Sequence, residues 1–215
     1  MKFFVIIKEH SVRIPRKNFL QLGDYPLWKH LVLKLKEYDV YIDTNSLEVL
    51  HACEAFEWVS AYKRKKRHIE LENSNDFKVS PALLMIERFL SMYVEDKDEI
   101  IVTPHVTSPF IEVKTILKAT QKLSEGYDSV QACTMHQEFA YFKNSPINFD
   151  VNVIQKTQDL EPIVLGNGAF FIFTKRTFEK NKHRTGKNPY FYPLSFKESI
   201  EIDYIEDYEL ALKFI

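Results

Sequence analysis

The sequence Phe3-Phe4-Val5-Ile6-Ile7 and the loop Ser11-Val12-Arg13-Ile14-Pro15-Arg16-Lys17-Asn18 that follows it decide the fold class. The first stretch is short and made of β-branched and aromatic residues, which predicts a buried strand rather than a helix. The second stretch is basic, and a further cation, Lys8, stands at the end of the strand. Open α/β sheets bind their ligands at the carboxyl ends of the strands, so cations in this place favour a polyanionic ligand. The composition of the loop is equally compatible with a solvated basic turn.

Length and composition predict one folded α/β domain that covers residues 1–215. Hydrophobic residues make up 45% of the chain and aromatic residues 14%, which is enough for a packed core. The formal net charge of −1 gives no global attraction to nucleic acid or to an anionic membrane, so we expect neither as a partner. Cys53 and Cys133 lie in apolar contexts without metal-type spacing, which predicts buried free thiols of a reducing compartment. The first apolar run is too short for a signal peptide or a membrane span, and a cytoplasmic protein is the simplest interpretation.

Further strands and helices alternate along the chain. Apolar and β-branched runs predict strands over 39–43, 100–102, 128–133 and 169–173. Apolar residues at helical spacing predict helices over 27–35, 47–56 and 83–90, and one more that follows Ser108-Pro109 and ends at Gly126. Serine followed by proline, at 80–81 and at 108–109, is typical of a helix start. We expect the charge run 63–67 to be a solvated, mobile patch except for its last residue, and 180–188 to be a mobile polar loop.

The segment Ser199-Ile200-Glu201-Ile202-Asp203 alternates polar and apolar residues, which predicts a strand with Glu201 and Asp203 on the same face. Two carboxylates on one face repel each other unless a cation lies between them. Mg²⁺ takes one or two carboxylates together with phosphate oxygens, so it is the natural candidate for that cation. An edge strand with a hydrated acidic face is the alternative.

The basic loop resembles the CTP-binding signature of the sugar-acid cytidylyltransferases, which are the CMP-sialic acid synthetases and the related CMP-Kdo synthetases. The sialic pattern A-R-x-G-S-x-G-[IL]-P-x-K-N is met by Lys8 in place of its arginine, by Ser11, and by the closing pair Lys17-Asn18. The Kdo pattern S-x-R-[LI]-P-x-K is met by residues 11–17. His10 and Arg13 replace the two glycines of the sialic pattern, so side-chain cations must supply more of the phosphate binding.

Later segments resemble the same family in the same order. The matching segments are 67–71 (R-P-x-E-L), 105–109 (Q-P-T-S-P), 158–162 (Q-D-L-x-P), 166–173 (N-G-A-[IF]-[YF]-I-F) and 199–203 (S-I-D-I-D). This chain departs from the family at Asn45, which replaces an aspartate, at Thr157, which replaces an arginine, and at His105, which replaces a glutamine. A lone histidine such as His105 is expected to be structural rather than a ligand.

The resemblance implies a single three-layer, Rossmann-like α/β nucleotidyltransferase domain with a mostly parallel central sheet. It also implies transfer of CMP from CTP to the anomeric hydroxyl of a 2-keto sugar acid, which is sialic acid or a related nonulosonic acid, with release of pyrophosphate. The implied partners are CTP and the sugar acid, the implied cofactor is Mg²⁺, and the implied assembly is a homodimer. Residues 136–165 are expected to shape the sugar pocket and the dimer contact.

The resemblance also assigns roles to particular residues. Lys17, Arg13 and Asp203 are the catalytic candidates, and Asp203 with Glu201 are the candidate ligands of Mg²⁺. The candidates for binding the nucleotide and its phosphates are Lys8, Ser11, Arg16, Asn18, Arg67, Ser80 and Asn167. Cations are expected around the phosphates because negative charge builds there in the transition state.

Two other functions stay open on the sequence. CMP-Kdo synthesis is favoured by residues 11–17, whereas segment 105–109 differs from the Gln-Gly-Asp type of segment in that branch. A catalytically degenerate nucleotide-binding module is suggested by the lost loop glycines, by Asn45 and by Thr157.

Overall fold

The apolar run near the N terminus forms an interior strand of the sheet. The structure, a computed structural model, describes residues 1–74, 78 and 80–215. In this part of the chain the strands are β1 (Lys2–Ile7), β2 (Gln21–Leu22), β3 (Tyr25–Pro26), β4 (Val40–Thr44), β5 (Val59–Lys63), β6 (Ile100–Pro104), β7 (Ser129–His136), β8 (Tyr141–Phe142), β9 (Ser145–Pro146), β10 (Ile163–Thr174) and β11 (Pro189–Pro193). The α-helices there are α1 (Leu27–Lys34), α2 (Leu47–Cys53), α3 (Lys66–Asn73), α4 (Pro81–Tyr93), α5 (Val113–Thr120), α6 (Lys175–Asn181) and α7 (Ile205–Leu212). The predicted strands are confirmed as β1, β4, β6, β7 and β10, although β7 ends later and β10 begins earlier than predicted.

Seven of these strands form one sheet in the order β11-β7-β10-β6-β1-β4-β5. β1 pairs in parallel with β4 on one side and with β6 on the other. β4 and β5 are parallel, as are β7 and β11, whereas β10 is antiparallel to both β6 and β7. The sheet is therefore mostly parallel, as predicted. The direction of chain progression reverses at β1, and such a switch point opens a crevice beyond the carboxyl ends of the strands that flank it.

Helices cover both faces of the sheet. Phe3, Val5 and Ile7 of β1 belong to one apolar cluster, which they share with α1, α2 and α5. Phe4 points to the other face, where its ring stacks on that of Phe89 in α4 with 4.5 Å between the centroids. A parallel strand that is buried on both faces reads as a continuous apolar run, which is why β1 was recognisable. The two apolar clusters confirm the predicted three-layer α/β architecture.

The two Ser-Pro pairs have different outcomes. Ser80 is the N-cap of α4, as predicted. The prediction that Ser108 starts the next helix is wrong, since α5 begins at Val113. Ser108 instead lies in a turn, in which its N–H donates to the carbonyl of His105 at 3.2 Å. Gly126 ends the 3₁₀ turn after α5 with a φ of 99°, which a glycine adopts without strain.

Two polar segments that the sequence predicts to be solvated form specific hydrogen bonds in the structure. The charge run 63–67 ends β5 and begins α3, and the expectation of a solvated patch is wrong for Arg64, which is buried. Residues 180–188 contain the end of α6 and a loop. The Lys187 N–H in this loop donates to Asp128 Oδ2 at 2.7 Å. Composition alone does not reveal these contacts, because the partners are distant in sequence.

Residues 199–203 form an irregular segment rather than the predicted strand. The Ile202 N–H donates to the carbonyl of Thr107 at 2.8 Å, and the Ser199 N–H to that of Ser195 at 2.9 Å. Ile200 and Ile202 pack in an apolar cluster that includes Leu27 of α1 and Ala211 of α7. The alternating pattern misleads because helices and loops, not a sheet, bury its apolar residues.

Cys53 and Cys133 are free and buried, as predicted. Burial raises the pKa of the Cys53 thiol to about 11, and it also raises the pKa of Cys133. Among the helices of the described residues, none has the length and apolar character needed to cross a membrane. A single domain over residues 1–215 stays a prediction.

A buried ion pair joins the carboxyl ends of the central strands. Arg64 Nε donates to Asp43 Oδ1 at 2.6 Å, and neither side chain is exposed. The same guanidinium bonds to the carbonyls of Ile7 and Asp43, at 3.2 and 3.1 Å, and to Glu72 at 2.5 Å. A buried charge is tolerated only when it is paired and hydrogen-bonded, so Arg64 ties β1, β4 and α3 together.

We expect Arg64→Met to lower the free energy of unfolding by about 3–5 kcal/mol, because it leaves the buried carboxylate of Asp43 without its main partner. Lys66→Met, at an exposed position in the first turn of α3, is the control and should change that free energy by less than about 0.5 kcal/mol. Urea unfolding followed by circular dichroism measures both variants. Equal stability of the two would mean that the ion pair contributes nothing to the fold.

Candidate active site

A cavity of about 320 Å³ opens beyond the carboxyl ends of β1 and β6, at the switch point of the sheet. Charged side chains of both signs line it: Lys8, Arg13, Lys17, Arg184, Glu72, Glu201 and Asp203. The turn after β6 adds His105, Val106 and Thr107. Another cavity, of about 360 Å³, is lined by Glu95, Asp96 and Glu99 and does not suit a polyanion, because its charges are mainly negative. The cavity at the switch point is therefore the candidate site.

Asp203 connects the basic loop with segment 199–203 through two hydrogen-bonded ion pairs. Lys17 Nζ and Arg13 Nη2 each donate to Asp203 Oδ1 at 2.7 Å. Only 10% of the Lys17 side chain is exposed, compared with 46% for Arg13, so Lys17 is the cation held most firmly in the wall of the cavity. A carboxylate that is shared by two cations at the mouth of a cavity can release one of them to an incoming phosphate.

Hydrogen bonds and ion pairs fix the backbone of the basic loop. Asn18 Nδ2 donates to the carbonyl of Lys8 at 2.9 Å, which returns the loop to the end of β1. Arg16 has a left-handed backbone, with a φ of 53°, and its guanidinium pairs with Glu9 at 3.2 Å and with Glu48 at 2.6 Å. The left-handed conformation costs about 1–2 kcal/mol for a residue other than glycine, and these ion pairs offset part of it.

Glu201 reaches the cavity over Gly168. Its Oε2 accepts from the Gly168 N–H at 3.1 Å, and its Oε1 lies 3.5 Å from His105 Nδ1. Burial raises the pKa of Glu201, but His105, the Gly168 N–H and the charge of Lys17 outweigh burial, so the pKa lies below its ordinary value. A Cβ on residue 168 would lie 2.8 Å from Glu201 Oε2, so the carboxylate can take this position only over a glycine.

Asn167 holds the segment that carries the two carboxylates. Its Nδ2 donates to the carbonyl of Ser199 at 2.9 Å, and its Oδ1 accepts from the Ala169 N–H at 2.8 Å. Both ends of the amide are therefore engaged with backbone. Through these bonds the side chain fixes the entry into residues 199–203, and its predicted contact with a nucleotide stays a prediction.

The structure brings several predicted site residues together at the cavity: Lys8, Arg13, Lys17, Asn18, Glu201 and Asp203. Ser11 lies in the same loop, and its buried hydroxyl has no hydrogen-bond partner among the described residues. Arg16, Arg67 and Ser80 are not in the cavity wall, and all three are exposed. The first turn of α4 nevertheless reaches the cavity through Ala82. Roles for Arg16, Arg67 and Ser80 in nucleotide binding stay predictions.

Sequence reasoning missed Glu72, Arg184 and the position of His105 in the cavity wall. The Arg184 guanidinium lies over the ring of Phe171, 3.5 Å from its centroid, and its Nη1 is 3.5 Å from His105 Nε2. Burial lowers the pKa of Arg184 to about 10. The signal in the sequence is weak, because Arg184 stands among polar residues and His105 has no partner at helical spacing.

The cavity wall offers two carboxylates to a magnesium ion. Glu201 and Asp203 supply carboxylate oxygens to the same cavity, and both contacts of Asp203 to cations use Oδ1. Among the described residues there is no cluster of three or more His, Cys, Asp or Glu side chains that could hold a metal by itself. This donor set suits Mg²⁺, which is commonly held by one or two carboxylates and completes its shell with water and substrate phosphates.

Comparison with known proteins agrees with the geometry. A family model described as cytidylyltransferase matches residues 7–209. N-acylneuraminate cytidylyltransferase B of Danio rerio is 23% identical over 214 residues, which cover 93% of this chain and 48% of that protein. The chain spans about half the length of the curated relatives it matches.

Solved structures share the fold at low sequence identity. The 2-C-methyl-D-erythritol 4-phosphate cytidylyltransferase of Francisella tularensis has a TM-score of 0.62 at 12% identity, over 100% of this chain and 99% of that chain. A CMP:2-keto-3-deoxy-manno-octonic acid synthetase complexed with CTP has a TM-score of 0.56 at 15% identity, over 99% of this chain and 84% of that chain. These likenesses concern the fold alone, and they confirm the predicted Rossmann-like nucleotidyltransferase fold.

We expect Gly168→Ala to lower the free energy of unfolding by about 1–3 kcal/mol, because the new methyl group overlaps a carboxylate that its other contacts hold in place. Gly166→Ala is the matched control. Its Cβ would lie 2.6 Å from Nε2 at the flexible end of Gln131, which can rotate away, so the cost should be below about 1 kcal/mol. Urea unfolding compares the two, and equal losses would show that Glu201 is not tightly held.

Proposed function

The chain belongs to the cytidylyltransferase family, and we propose that it transfers CMP from CTP to the anomeric hydroxyl of a 2-keto sugar acid and releases pyrophosphate. The acceptor in this proposal is sialic acid or a related nonulosonic acid, and the enzyme acts as a cytoplasmic homodimer. The proposal is supported by the family match over residues 7–209 and by the N-acylneuraminate cytidylyltransferase relative. Free, buried cysteines are in keeping with a reducing compartment.

One observation carries the proposal. Lys17 and Arg13 of the basic loop both donate to Asp203, which is distant from them in sequence. The three side chains meet at the switch point of a mostly parallel sheet. Nucleotides bind at such switch points in open α/β sheets. A triphosphate needs several cations, and the carboxylate keeps two of them side by side before the nucleotide enters.

The proposed chemistry is an attack of the anomeric hydroxyl on the α-phosphorus of CTP, with cleavage of the bond to pyrophosphate. Negative charge develops on the phosphoryl oxygens and on the departing pyrophosphate. Lys8, Arg13 and Lys17 stabilise this charge from positions fixed before the reaction, so little reorganisation is needed. Ser11 supplies an unengaged hydroxyl to the nucleotide, and Asn18 keeps the loop closed on the strand end.

We also propose that Asp203 and Glu201 hold Mg²⁺ together with oxygens of the CTP phosphates. A bound magnesium ion supplies positive charge that stabilises phosphoryl transfer. Asp203 would then give up part of its pairing with Lys17 and Arg13 to the ion, which leaves both cations available to the phosphates. Glu201 is already ionised, because its pKa is lowered by its surroundings.

CMP-Kdo synthesis is the second candidate, and Arg13 favours it. An arginine at this position belongs to the Kdo type of loop, and here it donates to Asp203. A degenerate, non-catalytic module has less support. The backbone φ angles of His10 and Arg13 are not positive, so the loop does not require the glycines that these residues replace. Asn45 has a structural partner, since its Oδ1 accepts from the Glu9 N–H at 2.9 Å.

The proposed homodimer uses the segment between β7 and β10. This segment carries the small β8–β9 ribbon and exposes a series of apolar side chains, among them Tyr141, Phe142, Ile147, Val151, Val153 and Ile154. Ile154 is fully exposed in the single chain. Exposed apolar side chains that form a contiguous patch are typical of protein–protein interfaces. Sedimentation velocity reports whether the protein is a dimer in solution.

The experiment that tests the proposed function is a pyrophosphate-release assay with Mg²⁺. CTP, ATP, GTP and UTP are each combined with N-acetylneuraminic acid, other nonulosonic acids, Kdo and 2-C-methyl-D-erythritol 4-phosphate. Fastest release with CTP and a nonulosonic acid is the expected result. Fastest release with Kdo would favour the second candidate. Binding of all four nucleotides without release would overturn the assignment to a cytidylyltransferase.

We expect Lys17→Ala to lower kcat/KM by about 10²–10³, because it removes one fixed cation from the phosphates in the transition state. The fold should survive, since Arg13 remains paired with Asp203. Lys36→Ala, on an exposed residue outside the cavity, is the control for surface charge and should leave kcat/KM unchanged. A folded Lys17→Ala protein with normal turnover would remove the basic loop from the mechanism.

We expect Asp203→Asn to require much more Mg²⁺ for activity and to lower kcat by at least about 10², because a hard cation prefers a charged oxygen ligand. Glu201→Gln should act in the same direction and less severely. Glu206→Gln, an exposed position in α7, is the control. The measurement is kcat as a function of Mg²⁺ concentration. An unchanged dependence in Asp203→Asn would place the metal elsewhere.

A further inference from the structure

Arg184 contributes a positive charge to the cavity wall and does not belong to the basic loop. It lies in the loop 182–188 between α6 and β11, and its guanidinium stacks on Phe171 of β10 at 3.5 Å from the ring centroid. Its Nη1 lies 3.5 Å from His105 Nε2. Within the described part of the chain, no carboxylate lies within 4.0 Å of this guanidinium.

Arg184 is partly buried in the cavity wall and has no carboxylate partner within 4.0 Å among the described residues. Arginine is almost never fully buried unless it is paired, because removing its charge from water carries a large desolvation cost. Stacking on Phe171 and the nearby charge of Glu201 offset part of this cost. The guanidinium lines the cavity with donors that an entering anion can accept from.

Arg184 is not needed to hold its own loop. The Gly186 N–H donates to Ser129 Oγ at 2.8 Å, and the N–H groups of Lys187 and Asn188 donate to Asp128 Oδ2 at 2.7 and 3.0 Å. These bonds attach the C-terminal half of the loop to the start of β7. The side chain of Arg184 contributes none of them, so these bonds leave its guanidinium available to a ligand.

The place of Arg184 distinguishes it from the cations of the basic loop. Lys8, Arg13 and Lys17 follow β1, whereas Arg184 lies against β10. β6 separates β1 from β10 in the sheet, so the strands beside the two groups of cations are two strand spacings, about 10 Å, apart. His105 and Glu201 lie beside Arg184 in the cavity wall. Two separate cationic subsites suit two anionic substrates better than one.

We propose that Arg184 binds the carboxylate of the acceptor sugar acid, an inference that rests on the proposed function and assigns the second anionic subsite to the second substrate. A guanidinium pairs with a carboxylate through two parallel hydrogen bonds, which fixes orientation as well as position. In a 2-keto sugar acid the carboxylate and the attacking anomeric hydroxyl are attached to the same carbon. Holding the carboxylate therefore also directs the hydroxyl, while the triphosphate stays with the basic loop.

The test compares Arg184→Gln and Arg184→Lys with Lys187→Gln, an exposed cation of the same loop, in the chain of residues 1–215. The substrate is the sugar acid that the wild-type enzyme turns over fastest, together with its carboxamide analogue. Arg184→Gln should lower kcat/KM for the sugar acid by about 10- to 100-fold, the effect of one charged hydrogen-bonded pair. It should leave KM for CTP within about twofold. Arg184→Lys should fall between, because it keeps the charge without the planar fork.

The carboxamide analogue separates binding of the carboxylate from a general loss of function. Wild-type and Lys187→Gln enzymes should discriminate strongly against the carboxamide, whereas Arg184→Gln should use the acid and the amide about equally. Undiminished discrimination in Arg184→Gln, or a raised KM for CTP instead of the acid, would overturn the proposal. Thermal unfolding of each variant shows whether an activity loss comes from unfolding.

Failure of the proposed function has a different signature, which is absence of CMP transfer by the wild-type enzyme with every sugar acid. The role of Arg184 is then decided by calorimetric titration of N-acetylneuraminic acid into the wild-type and Arg184→Gln proteins in the presence of CTP and Mg²⁺. Binding by the wild-type protein alone supports the carboxylate subsite. Equal affinities, or no binding by either protein, overturn it.

Discussion

The parallel pairing of β1 with both β4 and β6 is the constraint on which the site depends. Since chain progression reverses at β1, the loops after β1 and β6 diverge and leave the crevice between them. The buried Arg64 ion pair keeps the ends of β1 and β4 together next to this crevice and also fixes Glu72 in its wall. The position of the cavity therefore follows from strand order and from one buried charge, before any ligand is considered.

Charge compensation inside the cavity is the second organising feature. Asp203 neutralises part of the charge of Lys17 and Arg13, and His105 Nδ1 lies 3.5 Å from Glu201 Oε1, so polar groups of both kinds are held close together in the cavity wall. A charged ligand that replaces one partner of the Asp203 ion pairs keeps the remaining charge paired, as a partly buried charge requires. Hydrogen bonds of the Asn167 side chain, the Gly168 N–H and the Thr107 carbonyl keep the segment with the two carboxylates in place while such an exchange occurs.

The sequence predicts the parts of the fold that depend on local pattern and misses those that depend on distant partners. The apolar run 3–7 and the basic loop are recognisable because their apolar and charged residues are close together in the sequence. Arg64 looks like its exposed neighbours until Asp43 is placed beside it. Segment 199–203 alternates like a strand, yet helices bury its isoleucines. Arg184 and His105 reach the cavity only through the tertiary arrangement of β6, β10 and the loop after α6.

The attachment of the loop 182–188 to Asp128 has a consequence for protein engineering. Gly186, Lys187 and Asn188 are bonded through their backbone to the start of β7, and a side chain at 186 would overlap the Asp128 carboxylate. Residues 183–185 therefore form a short stretch whose C-terminal neighbours are held by these bonds. Arg184 in this stretch lines the cavity. Libraries that randomise these positions and retain Gly186 and Asp128 can vary the chemistry of that wall while the sheet and the basic loop stay intact.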